Sequence, residues 1–279
     1  MTHPLALVVY NRPGHTKRVI EALRSRFQPE PLYIFCDGPK SYQDKHNVLA
    51  VHDLVAACVT WTTPEILFLR GDNVGLRRSM VAAVDHVLNE HETVIVLEDD
   101  CLPGPHFFTF MTECLDRYKD DDRILGVTGY TVPIPRSVLN SYSHDCYSFP
   151  RIGSWGWATW RDRWELYERD FAAAYDKAKR SGCDLTAGGK DIPGMIERSI
   201  AGELDIWSPG WVLANILSNT YYIYPTKSHV TNIGFDGTGA HCGKSNRYDS
   251  PIAKTKPTRF PARAPAPDRR IVENFRKYY

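Results

Sequence analysis

The stretch Val94-Ile-Val-Leu-Glu-Asp-Asp100 decides how this chain is read. Four apolar, mostly β-branched residues in a row suit a strand buried on both faces, and such strands belong to parallel sheets covered by helices. Three acids follow at once, ahead of Leu102-Pro103-Gly104. Consecutive strand residues point to opposite faces, so three carboxylates in a row cannot all face water along a regular strand. The chain must break there, with at least one acid turned inward or onto a cation. Adjacent carboxylates repel, and a divalent metal relieves that repulsion. Hard oxygen ligands suit magnesium or manganese, with water and phosphate oxygens completing the shell. The competing reading is an acidic turn that merely follows a strand; its place at the end of the most apolar strand favours the metal.

On the N-terminal side, β-branched runs alternate with amphipathic segments. Leu5-Ala-Leu-Val-Val-Tyr10 reads as a buried strand, followed by a turn at Asn11-Arg12-Pro13-Gly14 and a helix through Val19, Ile20, Leu23 and Phe27. Leu32-Tyr-Ile-Phe-Cys36 is a second strand, ending at Asp37-Gly38. A helix around Val48, Val51, Leu54 and Val55 leads to a third strand at Ile66-Leu-Phe-Leu69. Leu76, Met80, Ala83, Val84, Val87 and Leu88 then recur at helical spacing. This alternation predicts an α/β fold: a mostly parallel central sheet with helices on both faces. Ligands of such sheets bind beyond the carboxyl ends of the strands. Those ends carry Asn11-Arg12, Asp37-Gly38, Arg70-Gly71-Asp72 and Glu98-Asp99-Asp100. After Ile124-Leu-Gly-Val127 the chain becomes rich in tryptophan, tyrosine, proline and glycine. Residues 1–249 therefore read as one domain, with halves at 1–129 and 130–249, the second irregular and built on the same core. Residues 250–279 form a basic, proline-rich tail expected to run extended over the surface.

A chain of 279 residues, 43% hydrophobic, can bury a substantial core. Its 34 basic and 33 acidic residues leave a net charge of +1, without the basic excess of a nucleic-acid-binding protein. An anionic ligand must be captured by a local site. No apolar run suggests a signal peptide or a membrane span, so a cytoplasmic protein is expected. The seven cysteines are odd in number and form no CxxC pair, which reads as reduced thiols and argues against structural zinc.

The motifs, in their order, resemble a known family. The run at 94–100, with Pro103 and Phe107-Phe108 close behind, is similar to the metal-binding segment of animal N-acetylglucosaminyltransferase I, of its relative that extends O-mannose glycans, and of bacterial polysaccharide sugar transferases sharing that core. Val8-Val-Tyr-Asn-Arg-Pro13 resembles the strand and turn whose arginine contacts the nucleotide, a role that falls to Arg12. Asp37 matches the acid that reads the uracil base, and Asn73-Val-Gly-Leu-Arg77 fits the loop and helix start beneath the nucleotide sugar. Gly153-Ser-Trp-Gly-Trp-Ala-Thr-Trp160 corresponds to the Gly-x-Gly-Trp segment lining the sugar pocket. There Trp155 or Trp157 would stand near the donor sugar, the glycines letting the ligand approach, with Trp160 and Trp164 in packing. Asp205-Ile-Trp207 resembles the Asp-x-Trp that carries the catalytic base. Gly234-Phe235 with Gly239-Ala-His241 looks like the loop that closes over the donor diphosphate, making His241 a donor contact. The matches run from Leu5 to His241. Two features depart from the family: its serine near the diphosphate is replaced around Ala240, and the animal enzymes' membrane anchor has no counterpart.

The resemblance implies a GT-A (Rossmann-like) fold with a nucleotide-sugar-binding first half and an acceptor-side second half. It implies a metal-dependent, inverting glycosyltransferase. Asp100 would bind Mn2+ or Mg2+ directly, with Glu98 and Asp99 positioning the ribose or metal-bound waters. Asp205 would be the base, with Glu203 its rival. Trp207 and Trp211 would desolvate Asp205 and strengthen it as a base. The first candidate donor is UDP-N-acetylglucosamine, and the acceptor a glycan or lipid-linked saccharide in surface polysaccharide synthesis. The basic tail is then available to touch the inner membrane face. Blander readings stand beside these: Asp205 capping a helix that begins near Ser208-Pro209, the tryptophans as core, and Arg12, Arg77 and Arg78 as surface charge. Two other classes compete. A sugar-1-phosphate nucleotidyltransferase would need a Gly-rich phosphate loop where Asn11-Arg12-Pro13-Gly14 holds one glycine. A catalytically silent carbohydrate-binding protein would not need the intact acids at 98–100 and 205.

Overall fold

Strand β1 (Leu5–Val9) is apolar and buried at all five positions, as a strand covered on both faces must be. The computed structural model describes residues 2–29, 31–62, 71–237 and 243–279, and at 65–67 the course of the backbone alone. Pro13 opens α1 (Pro13–Arg26), where its missing N–H costs no helical bond. β2 (Leu32–Cys36) follows, again fully buried. The Ser41 hydroxyl caps α2 (Tyr42–Cys58) by accepting the Asp44 N–H. β3 (Glu65–Leu67), α3 (Leu76–Glu90) and β4 (Thr93–Glu98) complete the alternating half. The expected strand at 66–69 thus begins one residue earlier, and its end at Phe68-Leu69, like Arg70, lies outside the described residues.

The second half supplies β5 (Cys101–Pro103), α4 (Phe107–Tyr118), β6 (Ile124–Thr128), a short α5 (Arg136–Leu139) and β7 (Cys146–Phe149). It continues through β8 (Trp157–Trp160), α6 (Arg161–Trp164), α7 (Phe171–Arg180), α8 (Ile192–Ile200), α9 (Ser208–Ser218), β9 (Tyr221–Pro225), β10 (Val230–Asn232) and α10 (Arg269–Phe275). The main sheet has eight strands in the order β3-β2-β1-β4-β8-β6-β9-β7. β1 pairs in parallel with β2 and β4, β2 with β3, and β6 with β9, while β8 and β7 run antiparallel to their neighbours. The expected α/β architecture with a mostly parallel sheet is therefore present.

Helices cover both faces. On β2, Tyr33 and Phe35 meet His86 of α3 edge-on. On β8, Trp157 lies against Trp211 of α9, whereas the Trp160 indole N–H reaches the other way to the Leu115 carbonyl of α4 at 3.2 Å. Period-two alternation sends these two tryptophans, three residues apart, to opposite faces. Val94, Ile95, Val96 and Leu97 of β4 have no exposed surface, each contributing about 1.5–3 kcal/mol of burial.

The order of strands reverses at β1: β2 and β3 lie on one side, β4 on the other. Such a switch point opens a crevice at the carboxyl ends of the strands. β5 and β10 form a two-stranded antiparallel ribbon with Asn232 opposite Cys101, which brings the 233–237 loop over the same edge. The 250–279 segment runs extended as far as Pro267, then turns into α10, whose Ile271 and Phe275 are buried in the common core. It is packed structure and not only a surface tail. Among the described residues the six cysteines are unbridged, and no helix is long and apolar enough to cross a membrane.

Candidate active site

A cleft of about 590 Å³ opens at the switch point. Its walls include Arg12, Asp37, Asn73, Glu98, Asp99, Asp100, Trp155 and Asp205, eight residues drawn from six separate stretches of sequence. Distant stretches of sequence thus converge on one crevice.

The acids diverge as strand geometry requires. Glu98 is the last residue of β4; Asp99 turns inward and is buried, accepting the Tyr10 N–H at 3.2 Å. Asp100 points to the loop side, where its Oδ2 meets Arg12 Nη1 at 2.9 Å and its Oδ1 the Asn232 amide at 3.4 Å. Burial, then the charges of Asp100 and Asp99, push Glu98 up, against a hydrogen bond from the Trp207 indole. Burial and Asp100 push Asp99 up to about 7, opposed by Arg12 and the Tyr10 N–H. Crowded, poorly hydrated carboxylates of this kind ask for a cation or a proton. Among the described residues no three His, Cys, Asp or Glu side chains are placed to hold a metal ion.

Asp37, at the end of β2, is 7% exposed and organises the facing loop. Its carboxylate accepts the Asn73 amide at 2.9 Å, the Val74 N–H at 3.1 Å and the Gly75 N–H at 3.1 Å. The loop then delivers Leu76 to the start of α3. Asp205 arrives there from the other half of the chain: its Oδ2 accepts the Leu76 N–H at 2.8 Å and its Oδ1 the Arg77 N–H at 3.4 Å. It caps α3, not the α9 helix that begins at Ser208. Gly75 makes room, since a methyl there would sit 2.3 Å from Asp205 Oδ2. Asp205 is exposed at the rim instead of enclosed by its tryptophans. Trp207 turns inward, 2% exposed, and stacks on Trp157 at 4.8 Å.

Other expected residues fall elsewhere. Arg77 points away, its guanidinium donating to the Arg169 carbonyl at 2.6 Å and lying 3.6 Å over the Phe171 ring. Trp157 is fully buried among Trp164, Trp207 and Trp211, behind the cleft wall. Gly153 and Gly156 admit core neighbours, not a ligand: a methyl on the first would strike Thr128 Oγ1, and on the second the Phe107 ring. The rival base Glu203 is exposed and paired with Arg198 at 3.2 Å. His241, with Gly239 and Ala240, lies outside the described residues.

No protein-family model matches the sequence, and no curated protein is detectably similar to it. In three dimensions the chain is similar to the crystal structure of GalNAc-T7 with UDP, GalNAc and Mn2+, at a TM-score of 0.46 and 10% identity over 80% of this chain and 42% of that one. It is also similar to S. aureus TarS, at 0.42 and 10%, over 82% of this chain and 36% of the other. The chain thus spans less than half the length of either. The functional reading rests on the cleft.

The cleft also contains residues outside the sequence motifs: Lys40, Ser79 and Asn232 line it. Asn232 is the clearest case, because it ties the β10 ribbon to Asp100 and its Oδ1 accepts the Gly234 N–H at 2.7 Å. A three-residue strand carries too little periodicity to be paired in advance. His15 also joins Arg12 at 3.0 Å and Asp236 at 3.1 Å, clamping the 233–237 loop to α1.

Proposed function

We propose that this chain is a metal-dependent glycosyltransferase of the GT-A type, moving a sugar from a nucleoside diphosphate to a saccharide hydroxyl with inversion. One observation supports it above the rest: the switch-point cleft combines a crowded acid corner, a polar loop, an aromatic wall and a rim carboxylate. These are the parts such a reaction needs.

Asp37, Asn73 and the 73–75 backbone form the cradle for the nucleoside, and Arg12 serves the phosphates. Glu98 and Asp99 orient the ribose and ordered water. Asp100 would hold Mn2+ or Mg2+, which when bound stabilises negative charge on the leaving diphosphate without a proton transfer. Trp155 flanks the sugar, and His241 is assigned to the diphosphate. Asp205 takes the proton of the acceptor hydroxyl. Its two backbone hydrogen bonds use part of a carboxylate's roughly four lone-pair sites, leaving acceptor capacity for that proton. The acceptor oxygen bonds to the anomeric carbon as the carbon–oxygen bond to diphosphate breaks, the electron pair leaving with the diphosphate. Attack opposite the leaving group inverts the centre. UDP-N-acetylglucosamine is the first donor to test, and a glycan or lipid-linked saccharide of a surface polysaccharide the first acceptor class. The 1–129 half takes the donor and the 130–249 half the acceptor, with the basic 250–279 segment meeting the inner membrane face.

The test is a thermal-shift screen of nucleotide sugars with and without manganese, followed by assay of free nucleoside diphosphate. A ligand that binds only the folded state raises its melting temperature. A metal-dependent shift with one UDP-sugar and release of UDP is expected. Turnover that requires pyrophosphate would instead make the protein a nucleotidyltransferase, and binding without turnover a silent carbohydrate-binding protein.

A further inference from the structure

A second hollow of about 200 Å³ adjoins the cleft, sharing Ser154, Trp155, Ser208 and Phe235 with it. Its far wall is aromatic, and Phe275 and Tyr279 in it come from the 250–279 segment. Trp155 stands between the two spaces, against Tyr130 at 4.3 Å, Phe235 at 5.4 Å and Tyr248 at 5.8 Å. Tyr248 then stacks on Tyr279 at 5.6 Å and 26°. Tyr279 is held in turn by Phe275 of α10 at 5.2 Å and by the Arg151 guanidinium 4.1 Å from its ring centroid. Trp155, Phe235, Tyr248 and Tyr279 are each only partly buried.

Chemistry narrows the occupant. Arg151 is the one charged residue among the described lining, and Asp191 already takes it in a two-pronged pair at 2.7 and 2.8 Å. The lining side chains therefore offer no spare charge to an anion or a cation. The hollow offers aromatic faces together with the hydroxyls of Ser154 and Ser208. Aromatic faces with a few hydroxyls suit a neutral sugar ring, apolar on its C–H face and polar at its edge. The volume is that of about seven waters at roughly 30 Å³ each, room for one ring and not for a chain of them. Ser208 is three residues beyond Asp205, so a ring seated there borders the proposed base.

We infer that this hollow receives the single sugar of the acceptor that is to be glycosylated, and that Tyr248 and Tyr279 are its specificity-determining wall. The inference deepens the glycosyltransferase reading and rests on it for the word acceptor; the saccharide pocket itself does not.

Saturation-transfer NMR with methyl glycosides of glucose, galactose, mannose, N-acetylglucosamine and N-acetylgalactosamine tests the pocket directly. One glycoside should bind the full chain, and Tyr248→Ala and Tyr279→Ala should each weaken it about tenfold, the scale of one lost aromatic face. Tyr279→Leu keeps the bulk without the face and should weaken binding equally, which guards against a variant that merely misfolds. The shift given by UDP-N-acetylglucosamine with manganese should persist in all three. No glycoside binding, or equal binding by wild type and Tyr279→Leu, would overturn the proposal. If sugar transfer occurs but its acceptor KM is unmoved by these variants, the pocket falls and the enzyme reading stands. If the glycoside binds as described but no nucleotide sugar does, the pocket stands and the enzyme reading falls.

Discussion

Arg12 and Asp100, 88 residues apart in sequence, meet at 2.9 Å at the mouth of β4. Their side chains are 15% and 17% exposed, so this ion pair is mostly shielded from water. It lies at the acid corner where the proposed cation would bind, and it links the first βα turn to the three acids.

Arg12→Ala should therefore destabilise the metal-free protein, because Asp100 is left beside two crowded carboxylates. Removing one partner of a shielded pair costs about 1–3 kcal/mol. Manganese supplies the missing positive charge, so it should raise the melting temperature of Arg12→Ala more than that of wild type. Equal increments in a thermal melt would count against a cation at Asp100.

Asp205 has two jobs that substitution separates. Asp205→Asn keeps an oxygen for the Leu76 N–H, so stability should stay near wild type while sugar transfer is abolished. Asp205→Ala also loses the cap on α3, at about 1 kcal/mol. Chemical denaturation of both variants beside a UDP-release assay checks the pair of outcomes. Full turnover by Asp205→Asn would remove it as the base.

Gly75 has φ +88 and stands against Asp205. Gly75→Ala should cost about 1 kcal/mol or more through the left-handed backbone alone, and should lower turnover by displacing Asp205 from α3. Gly14, inside α1 with nothing within 4 Å of an added methyl, is the control. There the same change should stabilise by roughly 0.5–1 kcal/mol. Parallel melts of the two variants decide it.

The contrast between Arg12 and Arg77 shows what can be read in advance. Arg12 follows a fully buried strand whose end had to lie at the sheet's carboxyl edge, so its place followed from the alternation of elements. Arg77 sits inside the first turn of α3, and which way a helical side chain leans depends on neighbours far along the chain, here Arg169 and Phe171. Asp37 and Asp99 were legible for the same reason as Arg12. Asp205 was found by motif, but its partner α3 was not, because a cap across 129 residues leaves no local signature. The aromatic wall at Tyr248 and Tyr279 has no local signature: Tyr279 ends a proline-rich segment that signals extended chain without saying what it packs against, and Tyr248 lies in an irregular stretch with no period to pair it.

The buried acids also set a pH dependence. Asp99 has an ordinary value of 3.8 and is raised to about 7 in the folded protein, mainly by burial, and Glu98 is raised as well. The folded state thus binds more protons than the unfolded one between these values, and that contribution to stability, full below 3.8, is lost as pH rises through about 7. His229 acts in the opposite sense: burial lowers it from 6.5 to about 4, so it destabilises the fold as pH falls through 6.5. Above 6.5 the His229 contribution has ended, which leaves the window from there through about 7 and upward to the cleft acids. In that window the metal-free protein should lose stability with rising pH, at up to about 1.4 kcal/mol per pH unit for each acid. Asp99→Asn should flatten the slope, and so should saturating manganese, whose binding must displace the same protons. Urea denaturation across this range, with and without the metal, measures both. A slope that manganese leaves unchanged would separate the cation from these acids.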